Sequence, residues 1–457
     1  TMYKKILIAS LALIAGLASC KKDDPTPSPN PPSTLTIDGV ASTLEFYQLD
    51  TAHLSVAGVA KDAAAKAVWA VNGAKAAEGA TFDFTTAHPG KYEITLTVDG
   101  KSAKQTYTVA PRFSEGAFLL NEGNFGNETG SLTYIHPSKK LVIDQAYYRV
   151  NGTKLGNVCQ DLAFGNDQIY ILSQLGPKNG GEGLLTIARS NSLEKVKVYN
   201  DEALAQSTPT HIAVLRDHIY IRTERDGILR GSSEGGFTPI TGTKKALKQR
   251  MAQIGERIFA LTKDNKILMI QGTQVVRELD LSPAKPSGIA VSHDGKLWVS
   301  TTSPNAILKV DPTPDNFVAL DTHILDKSIS ATGPESWQRT TSSAFFAHGD
   351  KLYFTGQSSV IYCHDFATSK TSQVIDVKTI DGVGTSANMY YNSLGADPST
   401  GELYYAAFEG YSTYNKKNVT MVLKADGTKL LLKEKVNSFP AGFYFIPNAA
   451  SRTGANR

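Results

Sequence analysis

Residues 162–174 read LAFGNDQIYILSQ. Two short runs of apolar and aromatic residues flank Gly165-Asn166-Asp167, which predicts two antiparallel β-strands joined by a tight hairpin. The pattern then returns along the chain: IAVLRDHIYIRTE at 212–224, MAQIGERIFALTK at 251–263, IAVSHDGKLWVST at 289–301, AFFAHGDKLYFTG at 344–356 and LGADPSTGELYYAAF at 394–408. The second strand of each unit carries an aliphatic–aromatic pair: Ile169-Tyr170, Ile219-Tyr220, Ile258-Phe259, Leu297-Trp298, Leu352-Tyr353 and Leu403-Tyr404. Phe118-Leu119 is an earlier equivalent that lacks the preceding strand, and successive pairs lie 51, 50, 39, 39, 55 and 51 residues apart. Such intervals suit a four-stranded propeller blade. The expected fold class is therefore all-β, with a seven-bladed β-propeller over 115–450. The strand missing from the first unit is expected from the lone apolar segment AGFYFIPN at 441–448, which would close the ring and leave no sheet edge open there.

The bulk properties agree with a strand-and-turn protein. The chain has 457 residues, 41% hydrophobic and 20% charged, with 19 Tyr, 18 Phe and 38 Gly. That is ample material for more than one domain. Its net charge is only +4 and its basic residues are scattered, so the electrostatic footprint of a nucleic-acid binder is missing. The three cysteines, Cys20, Cys159 and Cys363, form no CxxC pair and suggest neither a zinc knuckle nor a disulfide framework.

The N-terminal residues carry an address. Lys4 and Lys5 precede a 12-residue apolar run, Ile6 to Leu17, too short for a bilayer span and built like an export signal. Its ending, Leu-Ala-Ser-Cys, resembles the lipobox of bacterial lipoproteins. That resemblance implies a signal peptide over 1–19, lipidation of Cys20, and a membrane held by acyl chains. Residues 20–33 continue as CKKDDPTPSPNPPS, whose proline-rich part reads as a stiff, extended tether. The KKDD tag resembles the export signal of lipoproteins displayed on the outer cell surface, which implies the outer membrane facing the exterior.

Residues 34–110 read as a small β-domain of short alternating segments punctuated by Asn72-Gly73, Pro89-Gly90 and Asp99-Gly100. The stretch VWAVNG…TFDFTTAHPGKYEITLTVDG resembles PKD-like, immunoglobulin-type sandwiches, with Trp69 as core. No chemistry is expected of it.

The loops indicate where a ligand would sit. Turns between first and second strands are minimal, whereas connections on the opposite face are long, and long loops in a compact domain are usually functional. They include NEGNFGNETG (121–130), SQLGPKNGGEG (173–183), FEGYSTYNKKN (408–418), QAYYRVNGTKLGNVCQ (145–160), DKSISATGPESWQRTTS (326–342) and DVKTIDGVGTSANMYYNS (376–393). These loops collect aromatics and amides suited to a large, mostly neutral, partly planar ligand. The candidate binding residues are Asn121, Glu122, Asn124, Phe125, Tyr147, Tyr148, Arg149, Gln174, Trp337, Arg339, Asn388, Tyr390, Tyr391 and Tyr411.

Motifs for covalent chemistry are wanting. GNFGNETG runs into a strand where a P-loop would open a helix with Gly-Lys-Ser/Thr. No HExxH or EF-hand pattern occurs, the nine histidines are scattered, and His364 beside Cys363 reads as core. No catalytic residue, metal or cofactor is expected. One enzymatic alternative is a metal-dependent propeller lactonase or lyase, with Glu122, Asn121 and Asp161 beginning a cation site. Thr210, Ser287, Ser342 and Asn392 stand where the other inner strands begin, so the carboxylates are too few to hold a bare dication. A further alternative is an adhesion or scaffold module binding protein or glycan.

LLNEGNFGNETGSLTYIHP, followed by VNGTKLGNVCQDLAFGNDQIYILS, resembles YncE-like propeller lipoproteins of Gram-negative anaerobes. Some of these capture cobalamin and hand it to a TonB-dependent transporter (BtuG-type). The resemblance implies a non-enzymatic, ligand-capturing lid over such a transporter, with a corrinoid as ligand. The N-terminal PKD-like domain departs from that pattern.

Overall fold

The structure, a computed structural model, describes residues 34–329, 344–356, 358–391 and 394–447. The expected signal, Cys20 and the tether lie outside the described residues. The chain divides into two compact units, and the larger holds everything from Thr106 onward together with Ala41–Ala52 and Phe84–Tyr92.

Residues 36–110 form two sheets. One has the order Thr36–Gly39, Thr51–Ala57, Thr81–Thr85; the other runs Phe46–Tyr47, Lys101–Ala110, Gly90–Val98, Val68–Val71, Ala74–Glu78. Trp69 is fully buried, and its indole N–H donates to the Gly79 carbonyl at 2.9 Å. Asn72-Gly73 and Asp99-Gly100 adopt left-handed φ at both positions, as two-residue hairpins favour.

From Ala117 onward the chain builds a propeller-like series of four-stranded antiparallel sheets, seven among the described residues. They are numbered here from the one that holds Ala117–Asn121. The sequence alternates so that both faces of each sheet are buried. In the second sheet Ile169 and Ile171 pack toward the first, while Tyr170 and Leu172 pack toward the third. The same logic links every neighbour. Separate apolar clusters join sheets one and two, two and three, three and four, four and five, five and six, six and seven, and finally seven and one. The series therefore returns to its start.

It returns through the expected strand. Pro440–Phe445 pairs antiparallel with Ala117–Asn121, with Leu119 opposite Phe443 and Phe118 opposite Tyr444. Phe118 and Leu120 then face the second sheet, and Ala117 and Leu119 face the seventh. The seventh sheet approaches so closely that a Cβ on Gly395 would lie 2.7 Å from Phe443 Cβ. Only glycine fits there.

The hairpins between first and second strands are tight, as at Asn166-Asp167, where both residues have φ near +55° (53° and 56°). Long connections gather at the opposite end of the sheets. One differs from expectation: within 145–160, residues Ala146–Asn151 form a helix that buries Ala146, Tyr147 and Val150.

Phe443→Ala should cost about 3–5 kcal/mol in urea unfolding, the usual range for emptying a buried aromatic site. Truncation before Pro440 should leave strand Ala117–Asn121 as an open edge and give aggregated protein by size-exclusion chromatography.

Candidate functional site

Loop 122–130 is continuous with the closing pairing. Glu122 N–H donates to the Phe439 carbonyl at 2.8 Å and Gly123 N–H to the Ser438 carbonyl at 3.2 Å. Gly123 has φ 77°, and a Cβ there would fall 2.3 Å from the Thr129 carbonyl oxygen, so the loop doubles back only with glycine. Phe125, at the tip, is 70% exposed.

Asn121 does not face the rim. It is fully buried, donating from Nδ2 to Ser131 Oγ and Thr133 Oγ1 (both 3.2 Å) and accepting from Ser438 N–H at 3.0 Å. A short amide in this position satisfies the backbone of the closing segment, so its expected ligand role gives way to a structural one.

An aromatic cluster centres on Phe439. Its ring centroid lies 4.4 Å from Tyr414, 5.1 Å from Phe408, 5.9 Å from Tyr411 and 6.4 Å from Tyr391. The Tyr414 hydroxyl donates to Glu128 at 2.8 Å and accepts from Asn124 at 3.5 Å, tying loop 122–130 to loop 408–418. Met389 bridges to Phe408, whereas Tyr390 packs against the apolar cluster between sheets six and seven with Lys378 over its ring, and Asn388 is exposed. Phe439 has φ 51°, an uncommon conformation for an aromatic residue.

Beneath the cluster sits Glu122, 8% exposed. Its carboxyl accepts from Gln160 Nε2 at 3.0 Å and from the Tyr391 hydroxyl at 3.2 Å. Burial pushes this carboxyl up to about 7, with Lys248, Tyr391 and Gln160 pulling it the other way.

A second polar group lies where the innermost strands converge. Arg250, just before the fourth sheet, donates to the Phe443 carbonyl of the first sheet at 3.3 Å and lies 4.0 Å from the Tyr444 ring centroid. It also stands 3.7 Å from Asp161 of the second sheet and 5.7 Å from the Phe346 ring of the sixth. A side chain that touches the first strands of three other sheets lies at the axis. Asp161 further accepts from the Tyr444 hydroxyl at 2.6 Å and from Ile212 N–H at 2.9 Å. Burial raises its carboxyl to about 6, against the pull of Arg250.

Asp161 therefore serves the arginine, which leaves little of the cation set drawn from Glu122, Asn121 and Asp161. Thr210 and Ser287 are likewise engaged, by Arg222 at 3.1 Å and by Ser300 at 2.8 Å. Among the described residues no group of three or more His, Cys, Asp or Glu could hold a metal ion. His364 is buried and pairs with His323 at 2.8 Å.

Other expected rim residues divide. Tyr147 is buried, its hydroxyl donating to Glu182 at 2.9 Å, because the helix turns it inward. This corrects its placement at the rim. On the outer side of that helix Tyr148 is 47% exposed and Arg149 Nε donates to the Asp144 carbonyl at 2.7 Å. Gln174 is partly exposed on strand Gln168–Gly176. Trp337, Arg339, Ser342 and Asn392 lie outside the described residues. Sequence reasoning missed Phe439, Gln160 and Arg250. The only signal for Phe439 was its place directly before the closing strand.

Arg250→Met should destabilise by about 3–5 kcal/mol by leaving Asp161 buried without its cation. Adding Asp161→Asn should recover part of that loss in denaturant unfolding. The raised Glu122 carboxyl binds a proton more tightly folded than unfolded. Its contribution to stability is thus full below its ordinary 4.5 and is lost as pH rises toward about 7. In Glu122→Gln, unfolding free energy should decline less across that window.

No curated protein matches the chain. Among solved structures it resembles a quinonprotein alcohol dehydrogenase-like protein from Bacteroides thetaiotaomicron, with a TM-score of 0.58 and 16% identity over 88% of this chain and 95% of that one. A protein from Lactobacillus plantarum (TM-score 0.47, 13% identity, 72% and 99% covered) and the WD40 β-propeller domain of Doa1 (0.40, 10%, 60% and 82%) are looser likenesses. At such identities the likeness concerns the fold alone. The sequence itself is more specific: residues 115–447 match the family described as a domain of unknown function, DUF5074, and the chain belongs to that family.

Proposed function

We propose that the seven sheets are the blades of a closed β-propeller that follows a PKD-like domain, and that the protein is a non-enzymatic binder. In this reading it is a lipoprotein, anchored through Cys20 to the outer membrane and facing the exterior. It captures a large, planar, amide-fringed nutrient of the corrinoid class on the long-loop face and passes it to a TonB-dependent transporter.

The observation that carries the binding face is the distribution of exposed apolar side chains. Among the described residues the aromatic ones, Phe125, Tyr148 and Tyr411, all belong to the long connections. Exposed aliphatics such as Val196, Val276, Val318, Leu320 and Ile324 instead lie on the outermost strands of their sheets. Phe125 and Tyr411, beside a cluster of packed tyrosines, offer stacking surface at low entropic cost, whereas the helix that carries Tyr148 reaches through Asn151 to Leu193, at the other end of the second sheet. A corrinoid needs such a surface and asks for no bond to be made or broken.

Titration with cyanocobalamin, followed by visible absorbance and calorimetry, should give saturable binding with the ligand recovered unchanged. Phe125→Ala and Tyr411→Ala should each weaken it by about tenfold, the loss of roughly 1.4 kcal/mol of contact. Absence of binding by the parent protein would remove the corrinoid assignment.

A further inference from the structure

The polar end of this face leaves one acceptor unanswered. Gln160 is 3% exposed, and its Nε2 donates to Glu122 Oε1 at 3.0 Å. Its Oε1 is enclosed and meets no donor. A buried amide oxygen in that condition forfeits the hydrogen bond it would have made to water. Reversing the amide gives no relief, because the oxygen would then confront the Glu122 carboxyl.

The surroundings define what could answer it. Glu122 Oε2 is held by the Tyr391 hydroxyl at 3.2 Å, the longer of the two bonds to this carboxyl. The Tyr391 ring leads to Phe439 and thence to the stacked ring of Tyr411, at 6.4 and 5.9 Å. Two acceptor oxygens thus adjoin an aromatic wall.

We propose that Glu122 and Gln160 form a subsite for a primary carboxamide borne on a flat apolar body. One amide N–H replaces the Tyr391 hydroxyl on Glu122 Oε2, and the other reaches Gln160 Oε1. The body of the ligand lies against Phe439 and Tyr411. An ammonium group also has enough donors, but Lys248 already acts on the Glu122 charge from nearby, so a second cation is disfavoured there. The inference rests on the binding face proposed above and names the group it selects, whatever the ligand's larger skeleton.

The test uses three probes that share a ring and differ in the head group: benzamide, benzylammonium and benzoate, followed by saturation-transfer NMR and competition titration on the full chain. Benzamide should bind best. Gln160→Met, which removes the unanswered oxygen at similar volume, should weaken benzamide about tenfold, the value of one buried hydrogen bond, while thermal stability stays close to the parent's, because the relief of that oxygen is offset by the lost bond to Glu122. Tyr391→Phe, which removes the competing hydroxyl, should tighten it. Should Gln160→Met fail to fold, the Tyr391→Phe comparison decides alone. Preference for benzylammonium, unaltered benzamide binding in the variant that folds, or no binding of any probe would overturn the carboxamide subsite. The cyanocobalamin titration judges the wider binding face separately, since a protein that takes the corrinoid but ignores benzamide keeps the face and loses this subsite.

Discussion

The pairing of Ala117–Asn121 with Pro440–Phe445 is the constraint on which the larger unit depends. Without it the first sheet would lack its innermost strand, and the apolar clusters on either side would each lose a wall. Its register decides which side chains face which neighbour, because a slip by one residue exchanges the faces. Leu119 would trade the seventh sheet for the second, and Phe118 the second for the seventh. The Asn121 side chain guards against that slip by accepting a hydrogen bond from Ser438, 317 residues distant in sequence.

The same seam makes the candidate site. Phe439 and Ser438 arrive with the closing strand, and Glu122, Asn124 and Glu128 leave with the loop that follows its partner. Their meeting explains why two carboxyls, an amide and an aromatic cluster stand together. At the axis, Arg250 and Asp161 form a charged pair that is costly to desolvate. Their bonds to Tyr444, Phe443 and Ile212 tie the first, second, third and fourth sheets to one another.

Much of this was legible in the sequence, and the reason is periodicity. Repeating hairpins with an aliphatic–aromatic pair reveal the sheets because alternation must serve two buried faces at once. The absent first strand and the lone last one likewise pointed to each other. Glu122, Tyr391 and Tyr411 were legible as residues of long loops. Burial within those loops was not. Asn121 and Tyr147 have the composition of ligand contacts, yet one satisfies a backbone and the other is turned inward by a helix of six residues. Phe439, Gln160 and Arg250 escaped notice because their roles arise from contacts between distant segments, about which local pattern says nothing.

The seam also has a consequence in time. A ribosome delivers the partner of Ala117–Asn121 only after some three hundred further residues have been made. Until then the first sheet is incomplete, and the ring stays open at its seam. A chain that cannot complete its fold before its last strand emerges remains threadable for longer. That interval is the window in which any process needing an unfinished chain has to act.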